Sequence, residues 1–309
     1  MARHIVIMGI LLFNFLVIVS SQLNTLVTFK TGKTRGGCDK YLGNLANWYE
    51  ETNQSVASAL AAVALYNDAG PDGALVRKAL FEWFRIPQAK YANPNKPKAT
   101  VQDVINKLNS IADWLDGKYP TTIPMHKTND NPIVILAVPA YDGKISGGVI
   151  PWWAGEYIDV NGYYFTLKKS GGAYCTGGNL GLTATLQLLT IAGEPKSEGM
   201  IQTVVICPVA FNSQAPDSYA DAVAMTSEGT SLDAVMLKSA TLLHEAFHVV
   251  FDGLAECADA AKVNVATARK NLENYVYFVA AMHFWQVNDD GISTNWDFVT
   301  SGPNDAQKV

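Results

Sequence analysis

The chain has 309 residues, 49% of them hydrophobic and 17% charged, with a formal net charge of −5. This composition is globular, with enough apolar residues for a sizeable core, and it fits one large domain or two small ones. There is no basic run and no basic-aromatic patch, which excludes nucleic acid as an expected partner.

The chain opens MARHIVIMGILLFNFLVIVSSQ. Arg3 gives a positive end, residues 5–19 are apolar apart from Gly9 and Asn14, and Ser20 and Ser21 are small residues ahead of Gln22. This is the pattern of a secretory signal peptide over residues 1–21. The apolar run is short for a bilayer span, which takes about 20 residues. No later stretch is long and apolar enough to span. A secreted, extracellular protein without a stable membrane anchor is therefore expected. Without Arg3, the 23 basic residues become 22 against 28 acidic ones, a net charge of −6.

Four cysteines remain, Cys38, Cys175, Cys207 and Cys257. An even count in a secreted chain suggests two disulfides, with three connectivities open. No C-x-x-C pair occurs, which argues against a cysteine zinc site. Asn53-Gln54-Ser55 is the only N-glycosylation sequon, making Asn53 the glycosylation candidate.

Residues 39–85 read as helical, with Leu42, Leu45, Trp48 and Tyr49 at three- and four-residue spacing. A turn is predicted at Gly70-Pro71-Asp72-Gly73, after which ALVRKALFEWFRI resumes the helical period. YANPNKPKAT is a proline-rich loop. The next helix is predicted over TVQDVINKLNSIADWLDG, with Thr100 as N-cap and Gly117 as its stop. NPIVILAVPAYDG holds an apolar run fit for a buried strand. GVIPWWAGEYIDVNGYYFTLKK reads as a hairpin turning on Asn161-Gly162. MIQTVVICPVAF is a further strand, ended by Pro208, and then helices return. The order of helices, strands and helices predicts an α+β fold in one domain over residues 22–287, with room for an unrecognised pro-segment in its N-terminal part. The polar tail, residues 288–309, is expected to pack loosely or fray.

Ser231 is placed to cap a helix over SLDAVMLKSATLLHEAFHVVFDG, whose apolar face includes Leu232, Leu242, Leu243, Phe247 and Val250, with Gly253 as a stop. It carries His-Glu-x-x-His. His244 and His248, four residues apart, lie on one helical face where both imidazoles can grip one ion. Glu245 adjoins them as the group that takes a proton from a zinc-activated water. The site needs a third ligand. Asp252 is eight residues past His244, about 12 Å along an unbroken helix, so it ligates only if the helix breaks after Val249 or Val250 and turns back. Glu256 follows Gly253 and can be swung toward the metal by a glycine turn, and Asp259 fits the same logic. Glu273 reads as an exposed or supporting group on the next helix. His126 and His283 read as surface or packing residues.

The chain resembles the fungal secreted zincins related to deuterolysin, the aspzincin group, whose members include lysine-directed metalloendopeptidases. The segments that carry this are TLLHEAFH, CADAAKVNVATARKNLENYVYFVA (residues 257–280) and IQTVVICPVAF, over roughly residues 200–282. Cys38 ahead of a long helix also fits. The resemblance implies a zincin-like, helix-rich α+β fold with a small mixed β-sheet and an HExxH active-site helix. It further implies bound Zn²⁺ and a peptide or protein substrate, and a monomer is expected. It carries His244 and His248 over as ligands and Glu245 as general base. In the family a Gly-Thr-x-Asp-x-x-Tyr-Gly phrase follows, supplying the third ligand and an oxyanion-stabilising tyrosine. Here the segment is VVFDGLAEC. Asp252 is the remnant of the ligand, with Glu256 as alternative. No tyrosine remains before Cys257, and Tyr275 is a remote substitute. The departure keeps a second expectation open: a degenerate zincin that binds zinc or a partner outside the cell without cutting peptides.

Overall fold

The structure is a computed structural model. It describes residues 27–29, 38–88, 99–118, 133–137, 151–153, 163–165, 180–189, 195–251, 254, 265–286, 296–299 and 306–308. The expected signal-peptide segment, His126, Cys175, Asp252, Glu256, Cys257 and Asp259 lie outside these residues. The chain is α+β. In chain order the elements are β1 (Val27–Phe29), α1 (Leu42–Ala64), α2 (Pro71–Phe84), α3 (Ala99–Leu115), β2 (Ile133–Ala137), β3 (Pro151–Trp153), β4 (Tyr163–Phe165), β5 (Gly181–Leu189), β6 (Pro195–Ile206), α4 (Pro208–Asn212), α5 (Tyr219–Met225), α6 (Ala240–Val250), α7 (Val265–Ala268), α8 (Leu272–Gln286), β7 (Trp296–Asp297) and β8 (Gln307–Lys308). No helix among the described residues is long and apolar enough to cross a membrane.

Two compact units form, one of residues 1–46, 113–119 and 126–209, the other of residues 47–112, 120–125 and 210–309. The first holds a mixed sheet in the order β1-β2-β6-β5-β4-β3. β1 and β2, and β2 and β6, run parallel, while β6, β5, β4 and β3 are antiparallel in succession. β6 is paired on both sides, and Val204, Val205 and Ile206 are all fully buried. Consecutive β-branched residues suit a strand covered on both faces. β6 ends at Ile206, just ahead of Pro208 as expected. Pro208 does not merely end β6; it opens α4, where its missing N–H costs nothing. β3 and β4 pair antiparallel, Trp153 with Tyr163, and the expected turn residues Asn161 and Gly162 lie outside the described residues. Strand β5, which pairs along almost the whole of β6, has no counterpart among the elements expected from the sequence.

The second unit is mostly helical. α2 starts directly at Pro71, so the predicted four-residue turn is displaced toward Asp68. Pro71 suits the first helical position, with its fixed φ. Gly73 lies inside α2, and a Cβ there would meet the Asp68 carbonyl oxygen at 2.3 Å. α3 begins at Ala99, so Thr100 is within the helix rather than its cap. Gly117, at φ 73° and within the 113–119 stretch of the first unit, does stop that helix, with Lys118 N–H donating back to the Asp113 carbonyl.

α8 is apolar on nearly every side, as a central helix must be. Among its residues only Glu273, Tyr277, Ala280 and Gln286 escape full burial. Phe278 meets Trp83 and Phe84, and Phe284 meets Tyr219 and Phe298. The last contact corrects the expectation of a frayed tail. Trp296, Asp297, Phe298, Val299 and Ala306 are buried, and β7 pairs with β8. Ala306 also exchanges backbone bonds with Thr230 and Gly229. Two aromatic side chains supply the apolar area that a polar tail otherwise lacks.

His283 is a packing residue, 3% exposed on α8. Its Nδ1 is 3.1 Å from the Ser58 hydroxyl, its ring meets Tyr219 edge-on, and Nε2 has no hydrogen-bond partner among the described residues. Burial pushes its pKa down from 6.5 to about 4. The folded protein thus holds a neutral imidazole that the unfolded chain protonates below 6.5. Its contribution to stability is complete above that pH and is lost as pH falls toward about 4. The loss is on the order of 3 kcal/mol. Urea denaturation across this window should show it, and the difference should vanish in His283→Gln, which has no titrating ring. An unchanged slope in the variant would contradict the assignment.

Candidate functional site

The His-Glu-x-x-His segment lies in α6, within the second unit. The helix does not run unbroken from Ser231. Leu232–Val235 forms a 3-10 turn, Met236 is extended, and the α-helix begins only at Ala240. Lys238 explains the break. Its backbone N–H donates to the Pro216 carbonyl, and its buried ammonium reaches the Phe211 carbonyl at 3.1 Å and Asp217 at 2.8 Å. A continuous helix would forfeit these bonds, and a buried ammonium without partners is costly.

Ser239 precedes α6 but does not cap it with its side chain. It bonds instead to Glu51 on α1, while the Thr52 hydroxyl reaches the Ser239 carbonyl at 3.4 Å. Glu51 also accepts the Tyr219 N–H at 2.7 Å. Burial raises the pKa of Glu51, and these two hydrogen bonds act against that. One carboxyl thereby fixes the starts of both α5 and α6. Sequence reasoning gives Glu51 no role, because its partners are 168 and more residues away.

Leu242, Leu243, Ala246, Phe247, Val249 and Val250 form the buried face of α6. Phe247 packs on Tyr275 of α8 with ring centroids 5.1 Å apart. The two histidines lie on the less buried side. His244 Nε2 and His248 Nε2 are 3.2 Å apart. Two nitrogens each about 2.05 Å from one tetrahedral zinc ion stand roughly 3.3 Å apart. The pair therefore fits a single zinc ion bound through both Nε2 atoms. Glu245, next to His244, is only 2% exposed. On the far side of the His244 ring, Nδ1 is 3.0 Å from Glu273 Oε1.

Among the described residues, no group of three or more His, Cys, Asp or Glu side chains is arranged to hold a metal. The two carboxylates proposed from sequence as third ligand, Asp252 and Glu256, lie outside them. The condition set for Asp252 is nonetheless met in part. α6 ends at Val250, not at Gly253, and Phe251 is extended at φ −124° and ψ 96°. The helix thus breaks at the position that Asp252 needs in order to leave the helix axis.

The NLENY phrase supports the site from beneath. Asn271 donates to Asn274, Asn274 donates to the Ala268 carbonyl, and the Tyr275 hydroxyl donates to the Arg269 carbonyl at 3.0 Å. Tyr275 is fully buried between Phe84 and Phe247, and burial holds its hydroxyl well above its usual pKa. It is a core residue with its donor engaged, which removes it as a substitute for the oxyanion tyrosine. Tyr277, on the same side of α8 as Glu273, bonds to Asp233. Elsewhere, Cys38 is buried, Cys207 is buried and disulfide-bonded, and Asn53 is half-buried within α1.

No known protein-family profile matches the chain, and no curated protein matches it. For Tyr275, a structural role predicts that Tyr275→Phe lowers the unfolding free energy by about 1–2 kcal/mol, from the Arg269 carbonyl left without its donor. Urea denaturation at constant m-value measures this, and unchanged stability would refute it.

Proposed function

We propose that the protein is a secreted, zinc-dependent metalloendopeptidase of the deuterolysin-related zincin type. The observation that carries this reading is the 3.2 Å approach of His244 Nε2 and His248 Nε2 on one helical face. His244 and His248 hold Zn²⁺, and Asp252, beyond the break after Val250, is the third ligand, with Glu256 as the alternative. When bound, zinc supplies Lewis acidity and brings the pKa of a water down to about 7.

The chain's own groups do the rest. Glu245 accepts the proton of the attacking water and returns it to the leaving amine. His244 and His248, anchored through Phe247 to the core, keep their ring positions while the substrate carbonyl enters.

A second reading is favoured by the burial of Tyr275. With that hydroxyl committed to Arg269 and no tyrosine between His248 and Cys257, an oxyanion donor of the family's kind is lacking. The protein would then bind zinc or a partner outside the cell and turn over no peptide.

One experiment separates the two. The purified, zinc-loaded protein should cleave casein, and Glu245→Gln should cut the rate by a factor of roughly 10² or more while keeping stoichiometric zinc. Equal activity in the variant would refute the mechanism. Bound zinc with no cleavage in either protein would establish the second reading.

A further inference from the structure

We infer that Glu273 is the positioning residue of the centre, locking His244 into the tautomer and ring orientation that present Nε2 to the metal; this rests on the zinc reading proposed above. The primary observation is the 3.0 Å separation of Glu273 Oε1 from His244 Nδ1.

Glu273 stands in the first turn of α8. A carboxylate oxygen accepts hydrogen bonds, and Glu273 Oε1 sits within hydrogen-bond distance of His244 Nδ1. The proton on His244 is thereby drawn to Nδ1. A neutral imidazole has a single N–H, so a proton on Nδ1 places the ring's lone pair on Nε2. That lone pair faces His248 Nε2 at 3.2 Å. A His248 N–H donated to that lone pair accounts for the approach, and a cation between the two nitrogens can take the place of that proton.

The backbone beneath Glu273 is built to hold it there. Asn271, Asn274 and Tyr275 surround it in sequence, and all three are fully buried and hydrogen-bonded within the turn from α7 to α8. Phe247 against Tyr275 sets the spacing of α6 from α8. Inward anchors at 271, 274 and 275 leave Glu273 on the less buried stripe of α8, facing His244.

The same geometry excludes Glu273 as the third ligand. The two nitrogens of an imidazole point away from one another, so a carboxylate on Nδ1 does not reach an ion on Nε2. Its negative charge acts through the ring, making His244 a more basic ligand.

The test uses the purified full chain as wild type, Glu273→Met, Glu273→Gln and Glu273→Asp. Zinc affinity is measured by competition with a chromophoric chelator, Tm on the zinc-free protein, and the His244 tautomer from ring ¹⁵N shifts without zinc. Glu273→Met should bind zinc about 10- to 100-fold more weakly, Glu273→Gln should fall between, and Glu273→Asp should recover most of the affinity. These differences should not follow Tm. Wild-type His244 should carry its proton on Nδ1 and lose that preference in Glu273→Met. Wild-type affinity in Glu273→Met, or an Nε2–H tautomer in the wild type, overturns the inference. Should Glu273→Met fail to fold, equal affinity across wild type, Gln and Asp overturns it instead. A wild type that takes up no zinc refutes the zinc reading, while the tautomer still decides the role of Glu273.

Discussion

The packing of α6 on α8 is the constraint on which the candidate site depends. Phe247 meets Tyr275, and Tyr275 is pinned by Phe84 on one side and by its own hydrogen bond to Arg269. With that contact fixed, His244 and His248 on one helix and Glu273 on the other have fixed positions relative to each other. Close-packed aromatic rings leave little room for adjustment, so a shift of either helix would be felt at the histidine nitrogens.

Polar anchors complete what the aromatic core begins. Glu51 ties the starts of α5 and α6 to α1, and Lys238 ends the preceding turn by reaching Phe211 and Asp217. Asp103 accepts from both Lys107 and Arg269, linking α3 to the segment that leads into α8. Charged groups in such places need partners on elements far away in sequence. They fix where each helix starts, while the apolar faces fix how the helices lie against each other.

Legibility in the sequence follows the range of the interaction. The helical period of residues 39–85, the glycine stop at Gly117 and the pairing of His244 with His248 are local, and the structure has them. The helix through Ser231 reads as unbroken because Lys238 looks like a solvent-facing residue until Phe211 and Asp217 are near. Strand β5 is in fact legible, since Leu182, Ala184, Leu186 and Leu188 alternate with Thr183, Thr185 and Gln187. The tail reads as loose because its composition is polar, although Trp296 and Phe298 decide its packing. Glu273 falls on a helix beyond the motif, but its contact with His244 depends on the crossing of two helices. No periodicity reports such a crossing.

The central claim is that His244 and His248 share one zinc ion with a carboxylate that lies beyond the break after Val250. A crystal structure of the zinc-loaded protein, with the ion located by anomalous scattering at the zinc edge, tests it most directly. The account predicts a single ion bound by both Nε2 atoms, with an Asp252 carboxylate oxygen within about 2.2 Å. Zinc held elsewhere in the chain, with these two histidines bare, would contradict it.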